Sequence, residues 1–278
     1  MAVLLAAALA VGPWLPAWRW MWTLSVAIFA GFKWATLAEA RAGGVRPRAA
    51  WREPAYLLLW PGMDARGFLA GGVPPRPSGR AWAAAALKTF FGAALLWLVA
   101  RRMGRGLLAG WVGMVGLIFV LHFGSFELLA LCWRRVGVDA QPLMRAPALS
   151  ASLGEFWGKR WNSGFRDLVF GLWFPRLRAR YGARRATMTL FLFSGLVHDL
   201  VISLPARGGY GLPTAYFLLQ GVGLLAEHVR GLPLARWRGR WPGRVWTLGV
   251  VAGPVFWLFH PPFVRRVILP FLHALHAL

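Results

Sequence analysis

The stretch Phe191-Leu-Phe-Ser-Gly-Leu-Val-His198-Asp199-Leu-Val-Ile-Ser-Leu204 decides how this chain is read. It is apolar almost throughout, and the apolar character extends upstream to Ala186. About 20 such residues cross a bilayer, and 186–205 supplies that length. An α-helix satisfies its own backbone in lipid, so the span is helical. At about 1.5 Å per residue, His198 lies on the order of 18 Å from the end near Ala186, in mid-membrane. An ionisable pair at that depth is costly and is by default a functional-site hypothesis. The structural alternative is a histidine bonded to a neighbouring helix. Adjacent helical residues point about 100° apart, so Asp199 faces a different neighbour and is a candidate for orienting a helix partner. Ser194 lies one turn before His198, and Gly195 leaves room for another group to approach.

The rest of the chain has the same character. It is 278 residues long and 58% hydrophobic, with a mean hydropathy of +0.52. Charged residues make up 15%, against roughly 25% in soluble domains. Candidate spans fall at 2–17, 19–40, 81–100, 106–133, 186–205, 210–229 and 245–264. Short apolar pieces at 54–61 and 168–175 read as re-entrant or surface helices, and the tail 267–278 as a segment lying at an interface. The N-terminal stretch reads as a first short span, since it lacks the basic region of a signal peptide. The expected fold is all-α: one polytopic membrane domain over 1–278, with about seven to nine membrane helices plus interfacial pieces.

The net charge is +23, and 29 of the 32 cations are arginine; the lysines are Lys33, Lys88 and Lys159. These charges fall between apolar spans, not on a soluble domain. They therefore speak for an anionic leaflet nearby and against nucleic acid. Segments 41–80, 134–185 and 230–244 hold 23 cations, and the alternate connections hold six. The three cation-rich segments are expected on the cytoplasmic side. The bias toward Arg, Ala, Gly, Pro and Trp suggests a GC-rich bacterial genome, hence a bacterial inner membrane. Cys132 is the only cysteine, which excludes an intramolecular disulfide and a cysteine-rich metal site. It reads as a small buried hydrophobe.

Segment 134–185 is long for a connection, and long connections are often functional. Within it, Ser152 stands three residues before Glu155, a capping box. Phe156, Trp157, Lys159, Arg160 and Trp161 follow, the composition of an amphipathic helix lying among lipid headgroups. The remaining histidines have no His-x-x-x-His or Glu-x-x-His spacing inside a span, so no metal is expected. His122 lies in mid-span with Glu127 five residues on, and His228 follows Glu227 at a span end. No nucleophile elbow, P-loop or dinucleotide-binding turn is present. Gly221 and Gly223 read as sites of close helix packing.

Two motifs in order carry a resemblance: Ser152-Leu-Gly-Glu155-Phe-Trp-Gly-Lys159-Arg160-Trp161-Asn162, then Phe193-Ser194-Gly-Leu-Val-His198-Asp199. Leu59-Trp60-Pro-Gly-Met-Asp64 and His122-Phe-Gly-Ser-Phe-Glu127 accompany them. Over roughly 55–230 the chain resembles the membrane-bound O-acyltransferase superfamily, in its wax-synthase-like branch. The resemblance implies acyl transfer from acyl-CoA, as co-substrate, to the hydroxyl of a lipophilic alcohol. It also implies that His198 is the intramembrane catalytic histidine and Asn162 its polar partner. Asp199 departs from the branch, which has Glu after the histidine. Asp199, Trp161, Glu155 and Ser194 are candidate supporting residues, and Lys159 and Arg160 candidate partners for the CoA phosphates. No permanently bound cofactor is implied.

The chemistry suits the residue types. A neutral imidazole takes a hydroxyl proton near pH 7, and a positioned amide stabilises a developing oxyanion. Two other readings use the same residues. One keeps the fold and acetylates a terpenoid, sugar or other metabolite hydroxyl. The other is a transporter or lipid-binding membrane protein with His198-Asp199 as a proton relay.

Overall fold

A computed structural model describes residues 2–104, 106–229 and 231–278. Arg105 and Arg230, counted among the connection charges, lie outside the described residues. Regular structure among the described residues is helical. The main helices are α1 (Ala2–Ala10), α2 (Ala17–Ala42), α3 (Arg52–Leu59), α4 (Ala65–Ala70), α5 (Gly79–Ala100) and α6 (Leu107–Arg135). They continue with α7 (Ser163–Leu172), α8 (Phe174–Ala206), α9 (Leu212–Ala226), α10 (Trp241–Leu258) and α11 (Pro261–Ala274).

Among the described residues, four helices are long and apolar enough to cross a membrane: α2, α5, α6 and α8. The α10–α11 pair makes a fifth span if counted as one, bent by 59° at its break. The sequence suggested seven to nine, and the difference has local causes. The first stretch is interrupted by a turn carrying Pro13, with Pro16 just beyond. The sixth begins late, behind Gly211 in left-handed conformation (φ 80°). The seventh breaks around Phe259 and His260, before Pro261. In contrast, α8 starts earlier than its apolar stretch and carries the arginines from Arg176 to Arg185, with a kink at Gly182 (φ 78°, ψ 163°). Short helices stand where the two apolar pieces were read, as α3 and α7.

Several spans contain π-turns, which are frequent at functional sites. Two bear on the histidines: 119–125 contains His122, and 199–203 begins directly after His198.

The chain packs as two compact units. The first comprises 2–5, 26–144 and 268–278. Its core gathers Leu37, Tyr56, Trp60, Phe68, Leu69 and Val138. Lys33 is buried there; its Nζ donates to the Gly62 carbonyl at 2.8 Å and lies 3.0 Å above the Tyr56 ring. A buried ammonium needs such partners to offset lost hydration. Asp64 caps α4 by accepting from Gly67 N at 2.8 Å. Lys88 of α5 meets Glu127 of α6 at 2.6 Å. The tail packs within this unit: Leu272 is buried against Gly113, and Trp97 Nε1 donates to Leu275 O at 3.1 Å. One expectation is corrected here. Cys132 is exposed, not buried, one turn before the end of α6.

The second unit comprises 6–25 and 145–267. Here α8 lies along α9. A side chain at Gly195 would place its Cβ 2.6 Å from Thr214 Cα, so glycine admits the α9 backbone. Gly221 does the same from the other helix, where a Cβ would fall 2.9 Å from Met188 Sδ. These contacts set the helix pair on which the site is built.

Candidate active site

The Ser152–Asn162 segment is held by carboxylates. Ser152 Oγ accepts from Glu155 N at 3.0 Å, and Glu155 Oε2 accepts from Ala151 N at 2.8 Å. This is a reciprocal box whose return bond lands one residue before the cap. Glu155 Oε1 also accepts from Arg160 Nε at 2.7 Å, and Arg160 Nη1 donates to the Arg145 carbonyl at 3.1 Å. The Ala151 N–H, and behind it Arg160, hold the Glu155 carboxyl below its ordinary 4.5. A second carboxylate, Glu227, is buried behind the segment. Its Oε1 accepts from Leu153 N at 2.7 Å and its Oε2 from Gly154 N at 3.4 Å. Sequence reasoning gave Glu227 no role. The only signal was a carboxylate at the end of an apolar run.

The helix that the Ser152 cap opens does form, but it is short and its aromatic side chains turn inward. One α-turn, Leu153–Glu155, runs into a π-turn, Phe156–Arg160, and its aromatic side chains pack within the unit. Phe156 is buried and stacks on Trp161 at 5.6 Å. Trp157 meets Phe217 at 5.6 Å and Phe191 at 6.0 Å, and its Nε1 donates to Gln220 Oε1 at 3.4 Å. The anchoring bonds from Glu227 explain the difference, since they fix the segment against α9. Lys159 is exposed.

Asn162 follows in left-handed conformation (φ 47°, ψ 64°), which asparagine tolerates better than most residues. Its Oδ1 accepts from Phe165 N at 3.1 Å and so caps α7. Because the oxygen serves the cap, the amide nitrogen Nδ2 is the end whose polarity suits a carbonyl oxygen.

Beside this segment lies an apolar cavity of about 230 Å³. Trp157 and Gly158 line it from the π-turn, Phe165, Arg166, Val169 and Phe170 from α7, and Phe217 and Leu224 from α9. Thr187, Leu190, Phe191 and Ser194 line it from α8. Those four occupy one helical stripe, and His198 is the next position on it. His198 Nδ1 lies 2.7 Å from the Ser194 carbonyl. A carbonyl only accepts, so Nδ1 carries the proton and the neutral ring keeps its lone pair on Nε2. The imidazole also lies 4.4 Å from the Phe217 ring. Ser194 and Phe217 thus touch both the cavity and the histidine.

Asp199 belongs to a different arrangement. Its Oδ1 accepts from Ser203 Oγ at 2.9 Å and Gly211 N at 2.8 Å. Its Oδ2 accepts from Thr214 N at 3.0 Å and from Thr214 Oγ1. The carboxylate therefore ties the π-turn after His198 to the start of α9. Ser203 Oγ also lies 3.1 Å from His260 Nε2, while His260 Nδ1 accepts from Phe263 N at 3.2 Å. That leaves the His260 proton on Nε2, donating toward serine. A serine nucleophile needs the opposite polarity, an imidazole that accepts. The Asp199–Ser203–His260 group is thus a brace, not a nucleophilic triad.

The comparisons with known proteins fall on this same unit. Residues 140–219 match the Membrane bound O-acyl transferase family. That range contains Asn162, His198 and every cavity-lining residue named above except Leu224. The chain is 30% identical over 174 residues to a long-chain-alcohol O-fatty-acyltransferase of Simmondsia chinensis, covering 55% of this chain and 48% of that one. Two Arabidopsis thaliana proteins, probable long-chain-alcohol O-fatty-acyltransferases 7 and 9, are each 31% identical to it. Those matches cover 47% and 55% of this chain and 42% and 50% of theirs. The chain thus spans about half the length of the curated relatives it matches. Residues 140–219 thus match the Membrane bound O-acyl transferase family, and the chain around them is similar to long-chain-alcohol O-fatty-acyltransferases.

Proposed function

We propose that this integral membrane protein transfers an acyl group from acyl-CoA to the hydroxyl of a lipophilic alcohol, with His198 as general base. The carrying observation is the Ser194 carbonyl on His198 Nδ1, which leaves Nε2 as the basic nitrogen of a ring whose neighbours Ser194 and Phe217 line an apolar cavity. In the proposed step, Nε2 takes the hydroxyl proton while the alcohol oxygen attacks the thioester carbonyl. The carbon–sulfur bond then breaks, CoA leaves as a thiolate and recovers the proton, and the ester remains. No enzyme nucleophile takes part.

Asn162 Nδ2 is proposed to donate to the oxyanion. The cavity's Phe, Leu and Val lining supports an alkyl chain over a sugar. Of the two cations proposed for the CoA phosphates, Lys159 is the better placed, since Arg160 is engaged with Glu155 and the Arg145 carbonyl. The arginine-rich connections are proposed to face the cytoplasm of a bacterial cell.

Free-thiol release tests the reading. Purified protein is offered acyl-CoAs from acetyl to long-chain, with a long-chain alcohol. Wild type is expected to release CoA and form ester, and His198→Gln to lose roughly 10²–10⁴ of the rate while keeping its melting temperature. Undiminished ester formation by the variant overturns the base assignment. No thiol release from any donor across a panel of alcohols overturns the transferase reading.

A further inference from the structure

A second cavity, of about 410 Å³, lies at the C-terminal end of α8. It is lined by Leu15, Ala17, Trp20, Pro205, Arg207 and Arg266. The positive charge there is unusual in its placement. Connections 206–209 and 265–266 belong to the cation-poor set, yet hold three cations between them, and two of these line one cavity. The first turn of α2 adds the partial positive charge of a 26-residue helix at Ala17.

No carboxylate of the unit answers this charge. The unit has four: Glu155 is bonded to Ala151 N and Arg160, and Asp167 to Arg166. Asp199 is bonded to Ser203 and the start of α9, and Glu227 to Leu153 and Gly154. Among the described residues, neither Arg207 nor Arg266 forms a salt bridge. Arg266 is nonetheless fixed in place: its Nη1 donates to the Ala206 carbonyl at 3.0 Å and the Arg207 carbonyl at 3.1 Å. Those bonds hold two guanidinium-bearing residues side by side against their mutual repulsion. Arg207 itself adopts a left-handed backbone (φ 49°), a costly conformation for a residue with a side chain. Such conformations persist where the surroundings enforce them, and they gather at ligand clamps.

We propose that this cavity binds a phosphate ester, held by Arg207, Arg266 and the N-terminal turn of α2. Arginine matches phosphate with forked, charge-assisted bonds, and a helix N-terminus offers free N–H groups. The remaining walls, Leu15, Trp20 and Pro205, are apolar; Trp20 Nε1 is already bonded to the Ala8 carbonyl at 3.0 Å. A phosphate carried on an apolar body fits a cavity of that composition. The position also suits a bilayer phospholipid, because two helices long and apolar enough to cross a membrane, α2 and α8, start and end there, and the ends of such helices meet the headgroup layer. The site is independent of the transferase reading.

The test is native mass spectrometry of the detergent-solubilised full chain, titrated with phosphatidylglycerol, phosphatidylcholine or inorganic phosphate. The comparison is wild type against Arg207→Gln and Arg207→Gln/Arg266→Gln, with Arg265→Gln as the neighbouring charge control. One or both phospholipids are expected to bind wild type, with affinity falling roughly tenfold per lost arginine and unchanged in Arg265→Gln. Arg207→Gln carries the test alone if removal of the Arg266 bonds impairs folding. Binding of inorganic phosphate, lost in the same variants, supports the site with a soluble phosphate as its source. Equal loss in Arg265→Gln reduces the effect to general surface charge and overturns the proposal. So does lipid and phosphate binding that none of the variants changes.

Discussion

His122 and His198 sit in helices long and apolar enough to cross a membrane, and both lie at π-turns, yet their surroundings differ. His198 has its Nδ1 on the Ser194 carbonyl, its ring against Phe217, and an apolar cavity beyond both. His122 has a buried Nδ1 with no hydrogen-bond partner among the described residues, and its ring meets Phe126 edge-on at 5.4 Å. The π-turn alone therefore does not make a site. A carbonyl that fixes the tautomer distinguishes His198 from His122.

Substitution of both histidines breaks or upholds this contrast, and it carries the largest expected effect. His198→Gln should lower ester formation by roughly 10²–10⁴. His122→Leu should leave the rate within roughly threefold and leave stability equal or higher, since it removes a buried polar atom without a partner. Rates measured with one donor and one acceptor, beside melting curves, decide it. Equal loss of rate from the two variants, with both folded, would mean that the anchoring carbonyl is irrelevant to function.

The contrast also marks what a sequence shows. His198 was legible because an ionisable residue inside an apolar run is costly wherever it points. The Ser152–Glu155 box was legible because capping is local, with partners three residues apart. Glu227 was not, because its partners lie more than 70 residues away at Leu153 and Gly154. The inward packing of Trp157 and Phe156 is hidden in the sequence for the same reason. Aromatic and basic residues in one short segment satisfy a headgroup layer or a helix pair equally well, and only the distant carboxylate settles which. Asp199 was read as facing a helix partner, and its bonds run to α9. The number of spans depended on proline and glycine breaks whose effect on helix length is not set by hydropathy.

Removing the support of the cavity wall should weaken the His198 site without touching the imidazole. Glu227→Ala strands the Leu153 and Gly154 N–H groups, at a cost of about 1–3 kcal/mol. The expected result is a lower melting temperature together with a raised KM, because the π-turn that lines the cavity loses its anchor. Glu227→Gln keeps an acceptor and should fall between. A Glu227→Ala protein with unchanged melting and unchanged KM would separate the wall from the site.

Ser152→Ala is a smaller change on the same wall, about 1 kcal/mol for one lost cap, and it should move stability more than rate.

The smallest effect concerns the pH dependence of that box. Glu155 is held below its ordinary 4.5, chiefly by the Ala151 N–H. A depressed carboxyl contributes stability that is complete above the unfolded value and is lost as pH falls through the folded one. The window therefore lies below about pH 4.5, not near neutrality. Melting temperatures of wild type and Glu155→Gln, followed downward from pH 6, should differ most at the top of that range and converge as the wild-type carboxyl takes up its proton. With side chains of both Glu155 and Arg160 about 28% exposed, solvent screens part of the ion pair. The convergence should accordingly persist in high salt, because the leading contribution is a backbone hydrogen bond and not the guanidinium. If salt abolished the difference between the two proteins, Arg160 would be the main partner of Glu155, and the box would be an ion pair at the edge of the site instead of a cap built into its wall.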